Sequence, residues 1–247
     1  MEKRIVLPTR NSEKEYIVQP LKIIALGLNY FDHIRESEEI ALNLQVPKER
    51  AKNEIPQEPL LFSKTPNVLI GPGESIILPK ILSNYNFKEF RTDIEAELAI
   101  IIGKRGKNIL QSEAMDYIFG FTAMNDVSQR NIQKSDKTGW FRGKSFDTFG
   151  PIGPQVILKE DMETLRNPQD LNIMSRINGE IKQNANTSQM IFPIPEIISF
   201  ISQNFTLEQH DIILTGTPKG VAPIHPGDVV EVEIEHIGIL RNPVRGE

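Results

Sequence analysis

Cysteine is absent from the 247 residues. That absence excludes disulfides, thiolate metal sites and a cysteine nucleophile, and it suits a reducing compartment. No window approaches the roughly 20 consecutive apolar residues of a membrane helix. Met1–Pro8 carries no apolar stretch of the signal-peptide kind. A cytoplasmic protein without a membrane partner is expected. Positive charge is also in short supply: 28 Lys and Arg against 33 Asp and Glu leave a net charge of -5. No basic surplus remains to meet phosphates, which argues against a nucleic-acid partner. There is no Gly-x-Gly-x-x-Gly after a strand, no Walker loop, no Gly-x-Ser-x-Gly elbow and no His-Glu-x-x-His.

What is present is ordinary globular composition, with 39% hydrophobic and 25% charged residues. The 17 prolines and 16 glycines call for many turns, as in a strand-rich fold. Residues 1–21 read as an N-terminal arm, and residues 22–247 as one β-rich α+β domain with few short helices. Lys22–Leu28 is a buried strand. Between about 30 and 58 the chain turns charged, with Leu and Ile at helical intervals and prolines 47, 56 and 59 at the end. That pattern fits one or two short amphipathic helices on an excursion, a candidate lid. Three turn–strand starts follow, at Gly71–Leu78, Glu208–Leu214 and His225–Ile234, and short helices are expected near 111–116, 127–133 and 195–203.

Two acidic clusters carry the chemistry. Glu95 and Glu97 stand at i and i+2, so on a strand they share a face. Asp126 ends the apolar run Ile118–Met124. Neighbouring carboxylates repel unless a cation, a shared proton or basic partners compensate. Three carboxylates without histidine suit Mg²⁺ or Mn²⁺ better than zinc. A solvent-facing glutamate pair with Asp126 capping a helix gives the same spacing, but carboxylates at the ends of long buried runs are poorly placed for free solvation. His33 and Glu36 lie one helical turn apart, which suits a base that removes a proton from water. A surface ion pair shares that spacing. The loop Gly139–Pro154 combines aromatics, turn glycines and Lys144, which could balance carboxylates or a developing enolate. Trp140 and Phe141 read as loop packing. The turn Thr215-Gly216-Thr217-Pro218 follows a buried strand, and its hydroxyls and amides suit a carboxylate.

Taken in order, several segments resemble the fumarylacetoacetate hydrolase family in its short single-domain form. They are Gly27–Glu36, Asp93–Ala99 with the following Ile-Ile-Gly, Phe121–Arg130, Gly143–Pro151, Leu214–Val221 and the closing Gly238–Val244. The resemblance implies a mixed β-sandwich rolled into a barrel, usually a homodimer. It implies that Glu95, Glu97 and Asp126 bind Mg²⁺ or Mn²⁺, and that His33 and Glu36 form a water-activating dyad on a lid. It further implies that Arg130, Gln133 and Lys144 line the site, that Gly216 and Thr217 hold a substrate carboxylate, and that Thr148 lies near the metal. The implied activity is a divalent-metal enzyme acting on small 2-oxo or β-diketo acids through an enolate. C–C hydrolysis of an acylpyruvate-type substrate is placed first. The alternatives are 2-hydroxyhepta-2,4-diene-1,7-dioate isomerisation, oxaloacetate tautomerisation or decarboxylation, and a silent binding homologue. Departures from the family pattern are a longer lid at 31–58, an added loop at 83–91, and Gln129 in place of a usual alanine.

Overall fold

The computed structural model describes residues 4–137 and 140–247. Met1–Lys3 of the expected arm and Gly139 of the expected lysine loop lie outside the described residues. In chain order the first strands are β1 (Val6–Pro8), β2 (Glu15–Ile17), β3 (Ile23–Gly27), β4 (Leu60–Lys64), β5 (Leu69–Ile70) and β6 (Ile76–Leu78). The central ones are β7 (Thr92–Ile94), β8 (Ala96–Ile102), β9 (Ile118–Asn125), β10 (Ser128–Gln129) and β11 (Gly150–Leu158). The last are β12 (Asn172–Ile177), β13 (Glu180–Asn186), β14 (Ile212–Leu214), β15 (Ala222–Pro223), β16 (Val229–Ile234) and β17 (Gly238–Gly246). The α-helices are α1 (Phe31–Asn43), α2 (Lys48–Ala51), α3 (Arg130–Ser135), α4 (Phe141–Lys144), α5 (Met162–Leu165) and α6 (Ile194–Asn204).

Strand order explains the long apolar runs. A mixed sheet runs β4-β3-β14-β8-β9-β11-β5, and a second runs β13-β12-β16-β17-β6. All seven residues of β8 are buried, because β8 is central and covered on both faces. Alternation sorts its side chains: Leu98, Ile100 and Ile102 join one core with Ile24, Leu26, Ile213 and the α6 residues Ile197 and Ile201. Ala99 and Ile101 join the other with Ile23, Ala25, Leu214, Leu7 and Ile76. The five-stranded sheet closes over the first core through Ile173, Val232, Ile234 and Leu240. The result is β-rich with few helices and a curled half-barrel sheet. Among the described residues no helix is long and apolar enough to cross a membrane.

Two elements set the site's walls. Helix α1 buries His33, Ile34, Ser37, Ile40 and Ala41, one stripe at helical spacing laid against the body. The segment expected to be helical near 111–116 is a 3-10 turn over Gln111–Tyr117, and the helix expected from 127 begins at Arg130, since Ser128 and Gln129 pair with β7 instead.

Candidate metal centre and active site

The acidic cluster is assembled by one antiparallel pair. Strand β8 pairs with β9, with Ala96 opposite Asn125 and Glu97 opposite Met124. Glu95 occupies the break between β7 and β8, held by the Asn125 side chain, which accepts its N–H at 3.0 Å. Its carbonyl accepts the Asp126 N–H at 2.9 Å. Glu95, Glu97 and Asp126 therefore each present an oxygen within 4.8 Å of the others, all from buried side chains.

Three cations answer them. Lys144 Nζ contacts Glu95 Oε2 and lies 2.5 Å from Asp126 Oδ2. Lys64 Nζ donates to Asp126 Oδ1 at 2.6 Å and to the Lys144 carbonyl. Arg130 donates through Nε to Asp93 at 2.8 Å and pairs through Nη2 with Glu95 Oε1 at 2.5 Å. Glu97 receives none of them; its one hydrogen bond among the described residues comes from the Gly216 N–H, at 2.7 Å.

The electrostatics follow from that distribution. Burial works to raise Glu95, but Arg130 and Lys144 outweigh it and hold its pKa far below the carboxylate range. Glu97 is pushed well above that range by burial, then by Asp126 and Glu95. Burial opposes the charge on Lys144, yet Asp126 and Glu95 keep its pKa raised. Lys64 is lowered, burial outweighing the pull of Asp126. Arg91 and Arg130 both pair with Asp93, Arg130 also with Glu95, and the two lysines with Glu95 and Asp126, so Glu97 is the carboxylate of the cluster that no cation contacts among the described residues. A divalent cation among these oxygens would supply the partner that Glu97 lacks, and the all-oxygen donor set suits Mg²⁺ or Mn²⁺.

The pocket beside the cluster is lined by Leu26, Gly27, Leu28, His33, Ser37, Phe62, Glu95, Glu97, Arg130, Gln133, Trp140, Lys144 and Thr217. His33 Nδ1 lies 2.9 Å from Glu36 Oε2, while Glu36 Oε1 accepts the Gly220 N–H at 2.9 Å. An ionised carboxylate only accepts, so Nδ1 carries the proton and Nε2 is left as a base. Gln133 Oε1 takes a hydrogen bond from Arg130 Nη1 at 3.1 Å.

Several expectations change on this geometry. Trp140 is a wall of the pocket rather than loop packing: its ring meets Phe62 edge-on at 5.4 Å. Phe141 is exposed. The lysine loop uses its glycines in both expected ways: Gly153 takes φ +137, and Gly143 allows close approach. A Cβ on Gly143 would lie 2.7 Å from the Gln133 nitrogen, so glycine lets α4 press against α3 and deliver Lys144. The Gly216 amide is spent on Glu97. The Thr217 hydroxyl lies 3.0 Å from the Ala96 carbonyl. Thr148 accepts the Ile77 N–H at 2.8 Å and is not part of the pocket lining beside the carboxylates. Gln129 caps α3 by accepting the Ile132 N–H at 2.8 Å, a reason for its presence where alanine was expected.

Lys64 and Asp93 were missed as members. A lysine two residues beyond the apolar run Leu60–Phe62 is the one signal that marked the first, since a buried lysine needs a partner. Asp93 belongs to the acidic cluster but offered no separate cue.

Comparison with known proteins gives the chain's family. The family model described as Fumarylacetoacetate (FAA) hydrolase C-terminal matches residues 22–245. The chain is 40% identical over 235 residues to Oxaloacetate tautomerase Fahd2a, mitochondrial, of Rattus norvegicus, covering 92% of this chain and 67% of that one. Its fold matches a 2-hydroxyhepta-2,4-diene-1,7-dioate isomerase from Mycobacterium marinum with a TM-score of 0.76 and 35% identity, over 96% of this chain and 82% of that one. It also matches a maleylpyruvate hydrolase from Sphingobium sp. SYK-6, solved with manganese (II) ion and pyruvate, at a TM-score of 0.73 and 29% identity, over 93% and 72% of the two chains.

Proposed function

The chain belongs to the fumarylacetoacetate hydrolase family, and from that premise and the site geometry we propose a divalent-metal enzyme that cleaves a C–C bond in a small acylpyruvate-type 2-oxo acid. The observation that carries the reading is a single pocket lined by Glu95, Glu97, Lys144 and His33, with Asp126 clustered beside the two glutamates and Glu36 bonded to the imidazole. Glu95, Glu97 and Asp126 would hold Mg²⁺ or Mn²⁺, which supplies Lewis acidity toward the 2-oxo group when bound. His33 Nε2 takes a proton from water, and the resulting hydroxide adds to the distal acyl carbonyl. The C–C bond then breaks, its electron pair passing into the 2-oxo acid fragment, which regains a proton from His33. Glu36 holds the imidazole in the tautomer this needs. Lys144 stays charged and sits where negative charge develops.

Tautomerisation of oxaloacetate is a second reading, favoured by the 40% identical rat relative. It needs a proton moved between carbon and oxygen, but no attacking water. Assays with Mg²⁺ or Mn²⁺ on acylpyruvates and on oxaloacetate, comparing the native protein with His33→Ala, separate the two. Under the hydrolase reading, His33→Ala loses hydrolysis by about 10²–10⁴-fold while enol–keto conversion persists. Equal activity in metal-stripped and metal-loaded protein would sink both.

A further inference from the structure

Gln183 is the one buried residue on β13, an edge strand otherwise exposed or half-buried. It sits at an irregularity: Ser175 pairs with Gln183, but the next residue, Arg176, pairs with Ile181, so Lys182 is extra. Such a bulge re-aims a side chain, and here it turns the amide inward. Gln183 Oε1 accepts the Ala96 N–H at 3.0 Å and the Ser175 hydroxyl at 2.8 Å. Its Nε2 donates to Thr217 Oγ1 and to the Pro218 carbonyl, each at 2.7 Å. All four hydrogen-bonding capacities of the amide are used.

The two backbone partners fix which end is which. Ala96 N–H can only donate and Pro218 C=O can only accept, so the flipped amide would face N–H with N–H and oxygen with oxygen. Hydroxyl directions then follow. Thr217 Oγ1 takes a hydrogen from Gln183, so its own hydrogen goes to the Ala96 carbonyl 3.0 Å away. Ala96 lies between Glu95 and Glu97, and both its N–H and its C=O are thereby tied to this one junction. The turn also rests on the bulge itself. Gly220 has φ +104, and a Cβ there would come within 2.1 Å of the Lys182 carbonyl. That same Gly220 donates to Glu36 of the dyad.

We infer that Gln183 is a positioning residue which registers the metal strand, the Thr217 turn and, through Gly220, the His33–Glu36 dyad against one another. The five-stranded sheet thus takes part in the site although none of its strands lines the pocket beside the carboxylates. The substrate half of this inference rests on the proposed function; the metal half does not.

The test measures binding of Mn²⁺ alone, then of pyruvate to Mn²⁺-loaded protein, for native, Gln183→Met, Gln183→Glu and Thr217→Val proteins. Gln183→Met removes every contact of the amide and should weaken Mn²⁺ by about tenfold or more, the range for residues that orient metal ligands. Pyruvate should weaken as well. Gln183→Glu keeps an oxygen toward Ala96 and offers at most one donor where the amide offers two. It should lose pyruvate affinity while holding Mn²⁺ near the native level, and it serves if the methionine variant fails to fold. Gln183→Met combined with Thr217→Val should be no worse for pyruvate than the more damaging single change, because both cut the same link. Native-like Kd values for both probes in Gln183→Met, with only a lowered Tm, would overturn the inference, as would additive losses in the double variant. If the native protein binds Mn²⁺ but no pyruvate, the proposed function fails, and the Mn²⁺ comparison still decides the role of Gln183. Native protein that binds neither overturns both.

Discussion

Replacing Glu97 by glutamine removes one of three carboxylates whose facing oxygens lie within 4.8 Å of one another. At that separation and an effective dielectric constant of about 20, each like-charged pair costs about 3.5 kcal/mol. Glu97 has two such neighbours and a burial penalty, against the attraction of Lys144 and one hydrogen bond from Gly216. Burial, then repulsion, wins, so without a cation the fold raises Glu97 well above its ordinary value. Keeping a carboxyl of ordinary value 4.5 protonated at pH 7 costs about 3.4 kcal/mol, at 1.36 kcal/mol for each pH unit. That figure caps what the glutamine can recover. Metal-free Glu97→Gln protein should therefore be more stable at pH 7, by at most that amount, with a higher Tm. The sign of the pH dependence is set by a folded value above the unfolded one. Stability from Glu97 is complete below about pH 4.5 and is lost as pH rises toward the folded value. The native and variant curves should thus converge toward about pH 4–5 and separate above it. Mn²⁺ at a hundred times its Kd should stabilise the native protein by about 2.7 kcal/mol and the variant far less. Thermal melts in EDTA and in Mn²⁺ across pH 5–8 read both effects. A lower Tm for Glu97→Gln in EDTA, or an equal Mn²⁺ shift in the two proteins, would refute the reasoning.

Two further outcomes concern the surrounding charges. Lys134, which donates to Ser37 of α1 at 3.1 Å, is lowered to about 8 by burial and then by Arg130. Its folded value lies below the unfolded 10.5, so the unfolded chain holds more protons between those values and stability should rise with pH across about 8–10.5. Lys134→Met should flatten that rise in denaturant midpoints taken at several pH values; an unchanged slope contradicts it. Asp93→Asn leaves the buried Arg130 guanidinium with Glu95 as its remaining carboxylate. Loss of one partner of a buried ion pair should cost about 3–5 kcal/mol in urea unfolding, and a loss below about 1 kcal/mol would count against a structural role for the pair.

What was legible in the chain was local. The unbroken run Leu98–Ile102 announces a strand covered on both faces, and charges at its end stand out because burial makes them costly. Stripe and cap patterns reveal α1 and α6 in the same way. Cross-strand partners were not legible. Lys64 meets Asp126, and Gln183 meets Ala96 and Thr217, only because particular registers bring them together. A polar strand such as Glu180–Asn186 shows no periodic sign that one of its side chains turns inward. The bulge that turns it depends on pairing with β12, which no local pattern encodes. Trp140 was misread for a related reason: an aromatic in a glycine-rich loop looks the same whether it fills space or forms a wall.

The parallel pairing of β14 with β3 sets residue 212 beside residue 23 at the centre of the large sheet. Strand β8 reaches β3 and β4 only through β14, on whose far side it lies. On the ribosome, β8 and β9 can meet as soon as both have emerged, so the three clustered carboxylates are juxtaposed early, across the single connection at 103–117. The slot between β3 and β8 stays open until residue 214 has been made. Helix α1 follows directly from β3 and the Thr217 turn directly from β14, so neither has its final support before then. Synthesis therefore assembles the carboxylate cluster first and the α1 and Thr217 walls of the pocket last. A nascent chain arrested before β14 should expose both apolar edges of that slot to chaperones, and ejection of the last few dozen residues should convert it to the native sheet in one late step.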